Sequence, residues 1–379
     1  MGTTYRTDAP AGAVRFRYRL DFQNDVAMSS TGAGLDDTHL FAVSRSVFVA
    51  PDPSAYRDAG HPYPLVLVHI AAPPGWHVVT SWGVDDDVFA PAGGDALLGA
   101  TIAAAPDFRV YRDTAAGTPL VLAIRGRRPF ADSALLSAVG ASLRRAAAVL
   151  GPVPVPRVTY TSEVGSKGRS SGSLQGLASI ALVWEPAEPL ELSRLHDLFH
   201  ETLHLWFGGA MDADRWWIEG VTDYVAARLE SEWSGRAGDL ADLCYQSLRD
   251  YLRIDRNANT TMAEESREGV LGDNTTLLVY RKGMLAGLLL DAAIRRGSDG
   301  RASLDDLARS ALALARSRPA HRVSEDEIRA LAVALGGGGT ARLWRRVVDG
   351  TSLITEADVT DALRAVTGLS LGAPAAVAK

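Results

Sequence analysis

Cysteine is nearly absent from this chain of 379 residues, in which Cys244 is the only one. A single cysteine cannot form an intramolecular disulfide, and it also argues against sulfur ligation of a metal. Metal chemistry in this chain, if there is any, must therefore depend on histidine and carboxylate side chains.

Long apolar runs and an excess of positive charge are also lacking. No apolar stretch reaches the roughly 18 residues needed to span a bilayer, so we expect no membrane insertion. The net charge is -6 and there is no basic run, which argues against nucleic acid as a partner. The start, Met1-Gly2-Thr3-Thr4, has no hydrophobic signal core. The sequence as it stands predicts a cytoplasmic location, or an exported one if a signal peptide has been removed.

The first third of the chain is patterned as β-structure. Apolar residues alternate with charged ones over residues 14–22, which is typical of a strand with one buried face. Further strands are predicted at residues 41–50, 64–72, 77–82 and 119–125, with turns rich in proline and glycine between them. These strands predict an N-terminal β-sandwich-like domain over residues 1–126.

The period then changes to that of helices. Residues 133–150 predict a helix that Gly151-Pro152 closes, and strands are expected at 156–162 and 178–185 around a glycine-rich loop. Helices are expected at 192–207 and 216–233, and almost everything after residue 236 has helical spacing. We therefore predict an α+β protein with a catalytic domain over residues 127–235 and a helical domain over residues 236–379. The oligomeric state stays open.

The chemistry is concentrated in His200-Glu201-Thr202-Leu203-His204, an H-E-x-x-H run, and in Glu219 after it. Residues four apart lie on one face of a helix, so both imidazoles can point at one metal ion. Two histidines, one carboxylate and one open position describe a catalytic zinc site, with one Zn²⁺ per chain. Zinc acidifies a water and polarises a carbonyl, and Glu201 can take the proton and pass it on.

The alternative interpretation makes these histidines ordinary residues of a surface helix. The helix is strongly apolar around them, and buried imidazoles need partners that a metal would supply. Asp223 lies four residues after Glu219 and can accept a hydrogen bond from a ligating histidine, unless it is an exposed helical aspartate. His196 shares the face of His200, and we interpret it as a hydrogen-bonded helix residue.

The string from Trp216 to Tyr224 reads W-W-I-E-G-V-T-D-Y. Together with the H-E-x-x-H run, it resembles the glycyl-aminopeptidase family of gluzincin zinc metallopeptidases, which carry W-x-x-E-G-x-T-D-Y after the zinc helix. Pro73-Pro74-Gly75-Trp76 and Tyr280-Arg281-Lys282-Gly283 resemble other stretches of that family more loosely. The resemblance implies a thermolysin-like catalytic domain with His200, His204 and Glu219 as zinc ligands.

The same resemblance implies roles for residues outside the zinc segment. Tyr280 matches a tyrosine that donates a hydrogen bond to the oxyanion in related enzymes, although it could equally be a core residue. The segment Ser173-Leu174-Gln175-Gly176 matches the substrate-binding strand, in which the family usually has a glutamate for the substrate amine. Gln175 can accept a hydrogen bond but cannot neutralise a charge. We therefore expect weak ordinary aminopeptidase activity.

The function predicted from the sequence is a zinc metallopeptidase that acts on a peptide or a small amide. Whether it trims a terminus or cuts internally stays open. The alternatives are a zinc hydrolase acting on a non-peptide amide, ester or epoxide, and a zinc-containing binding protein with little turnover. The intact Glu201 argues against the last of these.

Overall fold

The structure is a computed structural model. It describes residues 17–20, 33–50, 60, 62–164, 171–175, 178–236, 238–254, 261–262, 266 and 273–368, with only the backbone described for 33, 171–175 and 273–277. The described part of the chain is a mixed α+β structure in which two β-sheets come first and helices follow. The predicted fold class is thus confirmed at the level of α+β.

The first sheet is antiparallel and has the strand order β1-β2-β4-β3. A short helix, α1, and a 3₁₀ turn over Ser44–Ser46 connect its strands. The elements are β1 Ala33–Leu35, β2 Leu40–Val43, β3 His77–Thr80, α1 Gly94–Leu98 and β4 Thr101–Ala105.

The second sheet has the order β5-β6-β7-β9-β8. Strands β6, β7 and β9 are parallel, whereas β5 and β8 run antiparallel at the two edges. Its strands are β5 Arg109–Ala115, β6 Thr118–Ile124, β7 Val158–Val164, β8 Ser171–Gln175 and β9 Ser179–Trp184.

Several strand predictions in the first third are wrong in part. Residues 17–20 are exposed and lie in no strand, and the rest of the alternating segment 14–22 lies outside the described residues. Residues 64–72 contribute only an isolated bridge at Val68, because Leu65 and Leu67 face solvent with 82% and 62% exposure. In 41–50, the strand ends at Val43, where the 3₁₀ turn begins.

The predicted strand at 119–125 exists as β6, but it belongs to the second sheet. Its parallel partner is β7, so β5 and β6 belong to the second sheet and not to an N-terminal sandwich. The change from one sheet to the other therefore falls between Ala105 and Arg109. The domain divisions at residues 126 and 235 stay predictions.

Helix α2, Asp132–Leu150, connects β6 to β7 and packs on the second sheet. Its mean hydropathy is 1.3, which by length and composition is enough to cross a membrane. This corrects the expectation that no stretch is long and apolar enough. Half of that window is buried inside the fold, where Leu135, Val139 and Leu143 are inaccessible. Packing in the core therefore accounts for the apolar character of α2.

Helices dominate after β9. They are α3 Leu192–Leu203, a π-helical segment Trp216–Val221 that continues into α4 Thr222–Ser234, α5 Gly238–Leu252, α6 Asp273–Gly297, α7 Leu304–Arg316, α8 Glu325–Val347 and α9 Glu356–Thr367. Capping boxes begin α7, α8 and α9, each with a serine or threonine whose side chain accepts a backbone N–H. Gly337, with φ 66°, interrupts α8 within a run of four glycines, residues 336–339.

The two sheets pack against each other through a small apolar cluster that includes Phe41, Val79 and Val183. The other face of the second sheet is covered by α2 and α3, and their contacts continue into the helical layer as one core. Helix α3, which bears the H-E-x-x-H run, is therefore held between a sheet and helices.

Candidate metal centre

Thr202 fixes helix α3 to the two elements beneath it. Its hydroxyl donates to the carbonyl of Leu198 at 2.7 Å and lies 2.8 Å from Tyr160 Oη on β7 and 3.0 Å from Ser142 Oγ on α2. Residues two apart on a helix face roughly opposite sides. Anchoring Thr202 thus leaves His200 and His204 to face away from the sheet.

Arg194, in the first turn of α3, is a second anchor. Its guanidinium group donates to the carbonyl of Val183 at 2.7 Å and stacks on the Trp184 ring at 4.7 Å from the ring centroid. The group also forms ion pairs with Glu188 and Asp197 at 3.3 and 2.5 Å. The buried arginine therefore attaches α3 to β9 without leaving its charge unpaired.

Helix α3 is shorter than predicted, ending at Leu203 rather than at residue 207. His204 follows as the C-cap residue, and its Nδ1 lies 3.0 Å from the carbonyl of Phe207. A carbonyl can only accept, so Nδ1 carries the proton and Nε2 keeps its lone pair. The chain then turns at Gly208, with φ 91°, which allows only fourteen residues to separate His204 from Glu219.

Glu219 lies in the π-helical segment that begins the next helix. The sequence predicted a plain helix over 216–233, whereas the first part has the wider π-turn that is frequent at functional sites. Trp216 and Trp217 are fully buried, and Trp216 packs edge-on against Trp344 with ring centroids 5.6 Å apart. These contacts hold the segment that carries the carboxylate.

Glu219 brings the predicted ligand set together. Its Oε2 atom lies 3.6 Å from His200 Nε2 and 3.5 Å from His204 Nε2, and the three ligand atoms all lie within 4.8 Å of one another. Two ligands of a tetrahedral zinc ion at about 2.0–2.2 Å are about 3.3–3.6 Å apart. Oε2 is buried and has no hydrogen-bond partner among the described residues. The three side chains therefore fit a zinc ion.

A second cluster, formed by His196, His200 and Asp223, is less suited to a metal. Asp223 Oδ1 lies 2.8 Å from His200 Nδ1 and 3.1 Å from His196 Nε2, which are hydrogen-bond distances. A carboxylate only accepts, so both nitrogens carry protons. In the neutral form of His200, Nε2 therefore keeps its lone pair, on the side of the ring that faces Glu219.

The charges of this site are strongly coupled. Burial opposes the ionised form of Glu219, but the adjacent imidazoles of His200 and His204 outweigh it and hold the carboxyl pKa well below its usual range. The pKa of Asp223 is lowered in the same way, against burial, by His196 and His200. Burial alone would lower the pKa of His200, yet its carboxylate neighbours raise it. Without a bound metal, protonation of His200 would supply positive charge beside the carboxylates of Glu219 and Asp223.

Glu201 and Tyr280 both line a cavity of about 380 Å³ beside the ligand set. Burial raises the pKa of Glu201, and the two ligand histidines oppose that shift. The Tyr280 ring lies 6.0 Å from the His200 ring, nearly parallel to it. Burial, followed by the Glu219 carboxylate, raises the pKa of the Tyr280 hydroxyl, so that it stays a proton donor.

Ser173 and Gln175 lie in β8, the edge strand of the second sheet. Helix α3 packs next to this strand, so the sheet edge is close to the ligand set. The predicted contacts of the Ser173 and Gln175 side chains lie outside the described residues, as does Gly176.

Two residues of the site were not assigned to it from the sequence. His196, buried to 9% exposure, shares Asp223 with His200, and its spacing of four from His200 was the available signal. Arg281 follows Tyr280 and lies 3.9 Å from Asp223 and 3.6 Å from Asp250 on α5. No local pattern in the sequence connects α6 to these carboxylates.

The fold of this chain is similar to those of several solved structures. The aminopeptidase N family protein from Idiomarina loihiensis has a TM-score of 0.73 and 19% identity, over 89% of this chain and 62% of that one. The M1 zinc metallopeptidase from Deinococcus radiodurans gives 0.59 and 17%, over 86% and 73% of the two chains. Yeast LTA4 hydrolase in complex with bestatin gives 0.55 and 14%, over 84% and 51%. No family model and no curated protein matches the chain.

These neighbours define the class of fold as that of M1 zinc metallopeptidases. The chain spans less than two thirds of the length of the Idiomarina protein. The similarity is one of fold, and both the zinc metallopeptidase activity and the glycyl-aminopeptidase specificity stay predictions at this point.

Proposed function

We propose that the protein is a zinc-dependent peptidase in which His200, His204 and Glu219 hold the metal. The observation that carries the proposal is the position of Glu219 Oε2, which lies 3.5–3.6 Å from both imidazole nitrogens and has no hydrogen-bond partner in the part of the chain that the structure describes. The M1-like fold supports it. When bound, zinc supplies Lewis acidity that polarises a carbonyl group and acidifies a water molecule.

The protein's own residues would do the remaining work. Asp223 orients His200, while the carbonyl of Phe207 orients His204, so both rings present Nε2 to one point. Glu201, whose pKa is raised, would accept a proton from water and return it to the leaving amine. Tyr280, which stays protonated, would donate a hydrogen bond to the developing oxyanion.

The substrate would be an extended peptide that pairs with the outer edge of β8. Strand β9 occupies the other edge, with Ser173 opposite Ala181 and Gln175 opposite Ser179. The Deinococcus metallopeptidase is described with a Tyr-Ser-Ala substrate, which fits this substrate class. A terminal or an internal cut, and a non-peptide amide, ester or epoxide in place of a peptide, are alternatives that a substrate panel would separate.

The test combines metal analysis with Glu201→Gln. We expect one zinc per chain in both proteins and hydrolysis reduced by about 10²–10⁴-fold in the variant, since proton transfer is lost while the ligands remain. Glu356→Gln, the same chemical change on the exposed start of α9, serves as the matched control and should leave hydrolysis unchanged. Hydrolysis that persists in a zinc-loaded Glu201→Gln variant would refute the proposed role of Glu201.

A further inference from the structure

The loop over residues 205–218 joins two of the proposed zinc ligands, and a distant part of the chain holds it. Asp212 in this loop forms an isolated parallel bridge with Arg322, which lies 110 residues further along, between α7 and α8. The backbone N–H of Asp212 donates to the carbonyl of His321, and that of Val323 donates to the carbonyl of Asp212, both at 2.9 Å. The backbone of the loop is therefore anchored on the helical layer.

The Arg322 side chain extends this anchor toward the third ligand. Its guanidinium group donates to Asp212 Oδ2 at 2.7 Å and to Asp214 Oδ1 at 2.9 Å. The carbonyl of Asp214 in turn accepts the backbone N–H groups of Trp217 and Ile218, at 2.9 and 3.1 Å. These two residues directly precede the carboxylate ligand, so Arg322 holds the turn from which the ligand-bearing segment begins.

The remaining contacts of this segment limit what Arg322 contributes. Trp216 Nε1 donates to Glu325 at 3.2 Å, and the Trp216 ring packs against Trp344. Both contacts persist without Arg322, whose side chain is 52% exposed, and a single exposed ion pair adds little to stability. A zinc–ligand distance, in contrast, has to lie within about 0.2 Å of its ideal value. Arg322 therefore matters more for the metal centre than for the fold.

From these contacts we propose that Arg322 is a positioning residue for the metal ligand Glu219. It acts through Asp214, by keeping the turn before Glu219 in its metal-binding conformation, so that zinc does not have to order the turn when it binds. The inference rests on the proposed function, since it takes Glu219 as a zinc ligand. It adds a contribution from the helical layer to a site whose ligands all lie on α3 and the segment before α4.

The first test is the zinc affinity of Arg322→Ala, measured by competition with a chromogenic chelator. Groups that hydrogen-bond directly to metal ligands contribute about 10–100-fold to metal affinity, and Arg322 acts one step further away, so we expect a loss of about three- to tenfold. Arg296→Ala is the matched control, because Arg296 is 50% exposed and pairs with Asp361, away from the loop. It should retain the zinc affinity, while both variants change the urea midpoint of the metal-free protein to a similar, small extent.

The second test removes the same link from its other side. Asp214→Asn keeps the backbone carbonyl and weakens the pairing with Arg322, so it should also lower zinc affinity. The double variant should lose no more affinity than Arg322→Ala alone, since both changes break one connection. Co²⁺ bound in place of zinc reports the ligand arrangement through its visible absorption. That absorption should change in both single variants and stay unchanged in Arg296→Ala.

Unchanged zinc affinity and cobalt absorption in Arg322→Ala and Asp214→Asn would overturn the inference. So would additive losses in the double variant, or an equal loss in Arg296→Ala. If one of the single variants fails to fold, the other decides. Zinc binding that depends on Arg322, without hydrolysis of any substrate, would leave this inference standing and contradict the proposed function. An unsubstituted protein that binds no zinc would refute both.

Discussion

Replacing Gly220 by alanine should weaken both the fold and the metal centre. Gly220 follows Glu219 and packs directly on the backbone of helix α6. A Cβ atom built there would lie 2.4 Å from Gly283 Cα, 2.6 Å from Gly283 C and 2.7 Å from the carbonyl oxygen of Val279. Ordinary contacts begin near 3.4 Å, so the two segments would have to separate by about 1 Å.

The magnitude follows from what this separation disturbs. Overpacking a core typically costs about 1–3 kcal/mol, and the obstructing atoms here belong to backbone that cannot change rotamer. Glu219 and Tyr280 lie on the two segments that would separate. We therefore expect the free energy of unfolding to fall by about 1–3 kcal/mol and zinc affinity to fall at least about tenfold.

Urea denaturation of the metal-free protein measures the first quantity, and competition with a chromogenic chelator measures the second. Gly339→Ala is the control, because its Cβ atom would meet nothing closer than Arg342 Nη2 at 4.0 Å. Alanine is favoured over glycine in a helix by up to about 1 kcal/mol, so this control should be neutral or stabilising. A Gly220→Ala variant with unchanged stability and zinc affinity would refute the reasoning.

Three further predictions concern separate parts of the molecule. Asp223→Asn should lower zinc affinity by about 10–100-fold in a chelator competition, because His200 loses the carboxylate that orients it; unchanged affinity would contradict that role. Pairing with Arg318, together with the capping hydrogen bonds of α8, lowers the pKa of Glu327 to about 2. The stabilising contribution of the Glu327 carboxylate is therefore complete above the unfolded pKa of about 4.5 and is lost as the pH falls toward 2. In acid titrations, the difference in free energy of unfolding between the unsubstituted protein and Glu327→Gln should shrink over that range. Cys244 is fully buried and burial raises the pKa of its thiol, so a thiol reagent should label it only when the helical layer opens; rapid labelling of the folded protein would contradict the packing around it.

The motif residues were predictable because their relation is local. Four-residue spacing on a helix places His200 and His204 on one side whatever surrounds them. The same rule relates Glu219 to Asp223. The helical content after residue 236 was predictable from its period.

The strands of the first third were less predictable, since alternation shows which residues could form a strand but not which strand would pair with them. Val68 finds one bridge partner and Leu65 none, so 64–72 does not become a strand. Strand β6 has the expected bounds within about one residue, yet its membership in the second sheet depends on β7, which is more than thirty residues away.

The sequence by itself determined the candidate ligand set, the α+β class and the candidate base Glu201, because these depend on residue identity and short spacing. Only the tertiary structure decided that α3 ends at Leu203, that Glu219 lies in a π-turn, and that Asp223 is shared by His196 and His200. The cavity formed by α3 to α6 is likewise decided by packing, since residues as distant as Asp197 and Arg281 come together only when the helices pack. The relation between residues a few positions apart follows from the helix repeat. A cavity lined by several helices depends on how those helices pack against one another.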